Sequence, residues 1–111
     1  MTEYKIGSIC LYNNNEKTRP FIIINNGLGV DLDITALVVT TRKPRNRFDV
    51  ELKHWKEAGL SKPSIARTSK LHTIIPGESL VLIGKLQKED FIEVSNKVKE
   101  YISEGIKAFE P

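Results

Sequence analysis

A short apolar segment held between a proline and a turn constrains the fold of this chain more than any other feature. Residues 21–24 are Phe-Ile-Ile-Ile, with Pro20 before them and Asn-Asn-Gly at 25–27 after them. An unbroken apolar run of this length predicts a strand that is buried on both faces. Because proline has no N–H for a strand ladder, we expect the strand to begin at Pro20. Arg19 then lies at a rigid rim just outside the core.

Hydrophobic patterns in the rest of the chain predict further strands. The polar residues 13–18 are expected to join two of them in a hairpin with Arg19 near its tip. A short helical turn at 53–60 is expected to end at Gly59. Strands are expected at 4–12, 20–24, 34–41 and 48–52 and within 64–75, and residues 80–86 form an apolar segment of unassigned type.

The pattern changes to a helical period near the C-terminus. Gly105 is expected to end this helix. Six or so short antiparallel strands followed by one helix predict a single mainly β (α+β) domain over residues 1–111, a small partly open barrel closed by the helix. Apolar residues recur every three or four positions within 87–104, at Phe91, Val94, Val98, Tyr101 and Ile102.

Length and composition are those of a soluble globular domain. With 111 residues, of which 40% are hydrophobic and 28% charged, the chain can bury a core without a metal or disulfide. Its single cysteine, Cys10, cannot form an internal disulfide, and no apolar run approaches the roughly 20 residues that span a bilayer. Residues 1–5 show no signal peptide. We therefore expect a cytoplasmic protein without membrane contact.

Positive charge is concentrated in the middle of the chain. The net charge is +3, but residues 42–72 carry nine Lys and Arg against three acids. This asymmetry indicates a polyanionic partner, with nucleic acid first among the candidates. A solvated basic face without a partner is the alternative.

Several kinds of active site are missing from the sequence. Cys10, His54 and His72 have no zinc-ligand spacing, and neither a phosphate-binding loop nor a serine-nucleophile motif is present. We therefore expect neither a metal nor a cofactor. A cationic rim with hydroxyl groups remains, which suits phosphodiester chemistry on RNA, since RNA supplies its own 2′-OH nucleophile.

Three side chains are candidates for such chemistry. Arg19 offers a planar fork of donors to a phosphate, although it is alternatively a surface arginine in a salt bridge. Thr40, at the end of an apolar strand, can donate a hydrogen bond to a phosphate oxygen. His72 is the ordinary candidate for proton transfer near neutral pH, with a purely structural histidine as the alternative.

An ordered set of segments resembles the MazF/PemK family of toxins from bacterial toxin–antitoxin systems. The resemblance covers nearly the whole chain. It implies a small SH3-like barrel that forms a homodimer, cleaves single-stranded RNA without a metal and is neutralised by an antitoxin protein. The matching segments are residues 19–24, 36–41, 48–52, 59–65, 71–74 and 83–86.

The resemblance also implies roles for individual residues. The family's catalytic arginine matches Arg19 in the Arg-Pro pair, and its catalytic threonine matches Thr40, with Thr41 as the alternative hydroxyl. The serine of its Lys-x-Ser motif matches Ser64. This chain departs from the family in its shorter first loop at 13–18 and in having His72 where the family often has arginine.

Two functional hypotheses follow. The first is a sequence-selective endoribonuclease that leaves a 2′,3′-cyclic phosphate and a 5′-OH, with Lys62, Arg67 and Lys70 also following the RNA backbone. The second is a non-catalytic module of the same fold that binds nucleic acid or protein. Under the first, the catalytic residues are Arg19 and Thr40, and the substrate-binding residues are Thr41, Arg42, Lys43, Arg45, Arg47, Ser64 and His72.

Overall fold

The computed structural model describes residues 4–13, 17–75 and 77–110, which form one six-stranded antiparallel sheet and one helix. The sheet is open, with strand order β4-β5-β3-β2-β1-β6. This architecture confirms the predicted mainly β fold with a C-terminal helix. The elements are β1 (Ser8–Asn13), β2 (Thr18–Asn25), β3 (Ile34–Thr40), β4 (Asp49–Glu51), β5 (Ile65–Ile74), β6 (Val81–Lys85) and α1 (Lys88–Lys107).

Strand β2 lies inside the sheet and is buried on both faces, as predicted. Phe21, Ile22 and Ile23 have no exposed surface. Ile22 packs in the core between the sheet and α1, together with Val94 and other apolar residues. Phe21 and Ile23 belong to a second apolar cluster on the opposite face. Side chains alternate between the faces of a strand, so this continuous apolar run supplies both cores.

The predicted start of β2 was wrong by two residues, because the strand begins at Thr18. Pairing with β1 extends outward to the pair Asn13 and Thr18, whereas pairing with β3 stops at Phe21 and Val38. Pro20 therefore has a paired neighbour on one side only, where a residue without an N–H is tolerated. The part of the predicted first loop at 14–16 lies outside the described residues.

Other predicted boundaries also shift. The first strand begins at Ser8 rather than at residue 4, because Gly7 adopts a positive φ of 91° and its N–H donates to the carbonyl of Ile23. The strand predicted at 34–41 ends at Thr40, and the one predicted at 48–52 spans only Asp49–Glu51. The unassigned segment at 80–86 contains strand β6.

Helix α1 packs on the sheet through the first part of its apolar stripe. Val94 and Val98 are buried, but Tyr101 and Ile102 are partly exposed, at 38% and 45%. The helix also passes Gly105, contrary to prediction, because an exposed glycine costs a helix only about 1 kcal/mol and does not end it. None of the helices in the described ranges is long and apolar enough to span a membrane.

A buried carboxylate joins α1 to the turn at 53–60. Asp90, in the first turn of the helix, has no exposed surface. Its two oxygens accept hydrogen bonds from the backbone N–H groups of Lys53, at 3.0 Å, and His54, at 2.8 Å. The turn ends at Gly59, which has a positive φ of 96°, in agreement with the prediction.

The backbone of the same turn lies in direct contact with the backbone of strand β6. A Cβ atom added to Gly84 would lie 1.8 Å from the carbonyl oxygen of Ala58. One added to Gly59 would lie 2.4 Å from the carbonyl oxygen of Ile83. The two glycines therefore permit a contact between β6 and the turn that any side chain would prevent.

Candidate functional site

Arg19 and Thr40 lie opposite each other on neighbouring strands. The last pair between β2 and β3 is Phe21 with Val38. Arg19 lies two residues before Phe21, and Thr40 lies two residues after Val38, so continuation of the antiparallel register brings them together on one face. Both line the same two pockets. The sheet thus brings together the two residues that the sequence singled out for catalysis.

The end of β3 separates these two pockets. Val38 lines the larger pocket, of about 300 Å³, and Val39 lines the smaller, of about 240 Å³, because consecutive side chains point to opposite faces. The smaller pocket adds Pro20, Val39, Thr41 and Ser64, and the larger adds Val38, Arg45, Arg67, Lys70 and His72. Both pockets share Lys17, Arg19, Thr40 and Arg42.

Local hydrogen bonds orient two of the three hydroxyl groups in the pockets, those of Thr40 and Ser64. The oxygen of Thr40 accepts a hydrogen bond from the backbone N–H of Arg42 at 3.2 Å, which leaves the hydroxyl proton available to a ligand. Ser64 is buried, and its hydroxyl donates to the carbonyl of Lys62 at 2.8 Å. Ser64 therefore offers a ligand its oxygen as an acceptor.

His72 is held in the larger pocket by an aromatic contact. Its ring packs edge-to-face against Phe21, with ring centroids 5.2 Å apart. It pairs across the sheet with Ala36 of β3, which lies two residues before Val38 and four before Thr40. His72 thus lies on the same sheet face as Arg19 and Thr40.

An irregularity in β5 brings further cations to the larger pocket. Leu37 pairs with Leu71 and Val39 pairs with Ala66, so β5 advances five residues while β3 advances two. Bulges of this kind redirect side chains next to functional sites. Arg67 and Lys70 lie within the extra residues and line the pocket. No sequence signal placed the bulge.

The basic loop between β3 and β4 divides its cations between two places. Arg42 and Arg45 line the larger pocket, whereas exposed Lys43 lines neither pocket. Arg47 points away and hydrogen-bonds to Glu104 of α1, at 2.8 Å for one of its two contacts. That hydrogen bond raises the pKa of Arg47 and lowers the pKa of Glu104.

The pockets are strongly cationic. Within the described ranges, no acidic side chain lines either pocket and no carboxylate forms an ion pair with Arg19. Lys17, which sequence reasoning did not single out, contributes to both pockets. Its position two residues before Arg19 was the only available signal. Six cations thus converge where a polyanion would meet a hydroxyl donor and a histidine.

The same described residues contain no group of three or more His, Cys, Asp or Glu side chains arranged to hold a metal ion.

Solved structures of similar fold include an endoribonuclease, a MazE–MazF complex and a toxin. An endoribonuclease from a mycobacterial species has a TM-score of 0.77 and 13% identity, covering 93% of this chain and 94% of that one. A MazE–MazF complex from Deinococcus radiodurans has a TM-score of 0.73 and 17% identity, covering 92% and 97%. The Mycobacterium tuberculosis toxin MazF-mt6 has a TM-score of 0.71 and 18% identity, covering 86% and 96%.

Sequence comparison identifies the family. No curated protein sequence matches the chain significantly. A family model for the PemK-like, MazF-like toxins of type II toxin–antitoxin systems does match, over residues 7–102. These residues include every predicted site residue and all of the sheet. The chain therefore belongs to the PemK-like, MazF-like toxin family.

Proposed function

We propose that this chain is a metal-independent, sequence-selective endoribonuclease toxin that cleaves single-stranded RNA. The observation that carries the proposal is that Arg19 lies opposite Thr40 at the junction of two pockets, neither of which is lined by an acidic side chain among the described residues. A phosphodiester at this junction meets a fixed positive charge and a hydroxyl donor together. Nucleotides on either side of it have a pocket each.

The proposed reaction uses the nucleophile that RNA itself carries. The 2′-oxygen attacks phosphorus and loses its proton, the bond from phosphorus to the 5′-oxygen breaks, and the 5′-oxygen gains a proton. The products are a 2′,3′-cyclic phosphate and a 5′-OH. Arg19 stabilises the additional negative charge on the phosphorane, and Thr40 donates to one of its non-bridging oxygens. His72 is the candidate for proton transfer.

The remaining candidate residues differ in how far their positions support substrate binding. Thr41, Arg42, Arg45 and Ser64 line the pockets and are proposed to bind substrate. Lys43 is exposed on the same loop and is proposed to meet RNA beyond the pockets. Arg47, which the sequence also suggested, is engaged by Glu104 and has to leave that partner to bind RNA.

Family membership supports the proposed antitoxin partner. Solved structures of similar fold include an endoribonuclease in complex with its cognate antitoxin, which supports an antitoxin partner for this chain. Exposed apolar residues near the C-terminus, among them Ile106 of α1 and Phe109 just after the helix, provide surface for a homodimer or for that antitoxin. We place the protein in the cytoplasm, where its substrate RNA is found.

Cleavage of a long single-stranded RNA in the presence of EDTA tests the proposal. The wild-type protein should give discrete cuts with 5′-OH ends, and Arg19→Ala should lower the rate by on the order of a hundredfold or more, as removal of a transition-state donor does. Lys99→Ala, which removes one exposed charge from the helix, is the matched control and should cut as the wild type does.

Mapped 5′ ends and the salt dependence of binding distinguish the two functional hypotheses. Binding through phosphate contacts should weaken steeply as salt rises. Discrete cuts lost only in Arg19→Ala support the enzyme. Salt-sensitive binding without cuts by any variant shows a non-catalytic module instead, and cutting by Arg19→Ala at the wild-type rate contradicts the proposed role of Arg19.

A further inference from the structure

A buried ion pair lies at the wall of the larger pocket. Asp49 of β4 pairs across the sheet with Arg67 of β5, and the carboxylate Oδ2 accepts a hydrogen bond from the guanidinium at 2.7 Å. The two side chains are 0% and 7% exposed, respectively. Arg67 nevertheless reaches the wall of the larger pocket. Asp49 thus determines where this cation lies.

The same carboxylate oxygen also holds the basic loop. Oδ2 of Asp49 accepts a second hydrogen bond, from the backbone N–H of Arg45, at 2.7 Å. Arg45 is an exposed loop residue that lines the larger pocket. One buried atom therefore connects two cations of the pocket, one through its side chain and one through its backbone.

The end of the loop is fixed around this contact. The N–H of Asp49 donates to the carbonyl of Asn46 at 3.1 Å, and the N–H of Phe48 donates to the side-chain oxygen of Asn46 at 2.9 Å. The carbonyl of Phe48 accepts hydrogen bonds from both the N–H and the hydroxyl of Thr68. The loop consequently reaches the pocket from a rigid base on β4 and β5.

Stability alone gives a weak reason for a charged group here. A buried ion pair is often no more stabilising than apolar residues of similar size. Oδ1 of Asp49 is buried and has no hydrogen-bond partner among the described residues, which adds to the cost of the carboxylate. What the carboxylate supplies is a fixed geometry for Arg67 and Arg45.

We propose that Asp49 is a positioning residue for RNA binding, which holds Arg67 and the Arg45 segment of the loop so that their cations converge on the phosphate groups. The inference rests on the proposed function for its ligand. Asp49 does not itself contact the substrate. It acts through the two arginines.

Asp49→Asn distinguishes positioning from simple electrostatics. The substitution removes a negative charge next to a groove for a polyanion, so long-range electrostatics alone predicts tighter RNA binding. Positioning predicts weaker binding despite the more positive protein, with the dissociation constant raised on the order of tenfold. Glu51→Gln is the matched control, because it removes an exposed carboxylate two residues further along the same strand. It should change the dissociation constant by less than about twofold.

The experiment measures binding of a single-stranded RNA by two proteins, Arg19→Ala alone and Arg19→Ala combined with Asp49→Asn. Arg19→Ala is present in both so that the RNA is not cleaved. Weaker binding by Asp49→Asn with unchanged binding by Glu51→Gln supports the inference. Equal or tighter binding by Asp49→Asn overturns it and leaves the ribonuclease proposal intact. Failure of the wild-type protein to bind or to cut single-stranded RNA refutes the proposed function instead.

Hydrogen exchange tests the same inference without RNA and without a variant that has to fold. In the wild-type protein the amide of Arg45 should exchange at least about tenfold more slowly than an unstructured amide, because a buried acceptor holds it. Exchange of the Arg45 amide at the unstructured rate overturns the positioning role. If Asp49→Asn folds, faster exchange of this amide further supports it.

Discussion

Asp90→Ala should be among the most destabilising single substitutions in this chain. The side chain has no exposed surface, and its carboxylate accepts hydrogen bonds from the backbone N–H groups of Lys53, at 3.0 Å, and His54, at 2.8 Å. Hydrogen bonds to a charged group contribute about 1.5–3 kcal/mol each. Alanine removes both and leaves two backbone donors without their acceptor. It also removes a negative charge from the first turn of α1, which adds about 0.5 kcal/mol.

The expected loss is therefore roughly 3–5 kcal/mol, since the two hydrogen bonds are partly accessible and water recovers some of their energy. Domains of this size have a total free energy of unfolding of about 5–15 kcal/mol, so the effect is easily measured. Urea unfolding followed by circular dichroism should show a lower midpoint. The slope with urea should stay the same, because the surface exposed on unfolding is nearly unchanged.

Two further variants separate the buried contacts from the charge of the helix. Glu93→Ala removes an exposed carboxylate one turn further along α1 and should alter stability by less than about 0.5 kcal/mol. Asp90→Asn keeps one acceptor oxygen but presents an amide donor to the other N–H, so it should fall between the wild type and Asp90→Ala. A cost below about 1 kcal/mol for Asp90→Ala would refute the reasoning.

Three other substitutions test packing and pH dependence. Gly84→Ala places a Cβ 1.8 Å from the carbonyl oxygen of Ala58 and should cost at least about 2 kcal/mol in thermal unfolding. Gly105→Ala, in open space on the helix, should instead stabilise by up to about 1 kcal/mol, and equal effects would contradict the packing argument. The hydrogen bond between His54 and Glu89 raises the pKa of His54 and lowers the pKa of Glu89. The pair therefore stabilises the fold most between pH 4.5 and pH 6.5, the ordinary pKa values of the two groups, and stabilises it less at lower and at higher pH. His54→Gln should therefore lower the melting temperature near about pH 5.5 but not near about pH 8.5, and an equal effect at both would exclude the charge interaction.

The sequence predicted the parts of the fold that depend on local patterns. The apolar run after Pro20 indicated burial on both faces, and the ends of two apolar strands placed Arg19 and Thr40 at a rim. Both conclusions need only the period of a strand and the properties of proline. Helix α1 followed from its apolar period, although Gly105 did not end it.

The remainder of the site depends on contacts between distant parts of the chain. The bulge that brings Arg67 and Lys70 to the pocket has no local signal, because it reflects how β5 pairs with β3. Four cations of similar chemistry occupy the loop at 42–47, and only the position of α1 makes Arg47 a partner of Glu104. In the sequence, Asp49 is one polar residue of an alternating strand, and its buried ion pair with Arg67 of β5 has no local signal.

Residues 21–24 of β2 are all apolar, so hydrophobicity alone does not determine how β2 aligns with its neighbouring strands. If β2 slipped by one residue, Phe21 and Ile22 would exchange faces and both cores would still receive apolar side chains. Arg19, however, would then lie on the other face of the sheet from Thr40. The polar ends distinguish the two alignments. Pro20 has no N–H to donate, and at the other end Asn25 accepts the N–H of Gly27 at 2.8 Å, where the ladder with β3 shifts by one residue. The centre of β2 thus supplies burial, while its ends determine whether the proposed reacting groups face each other.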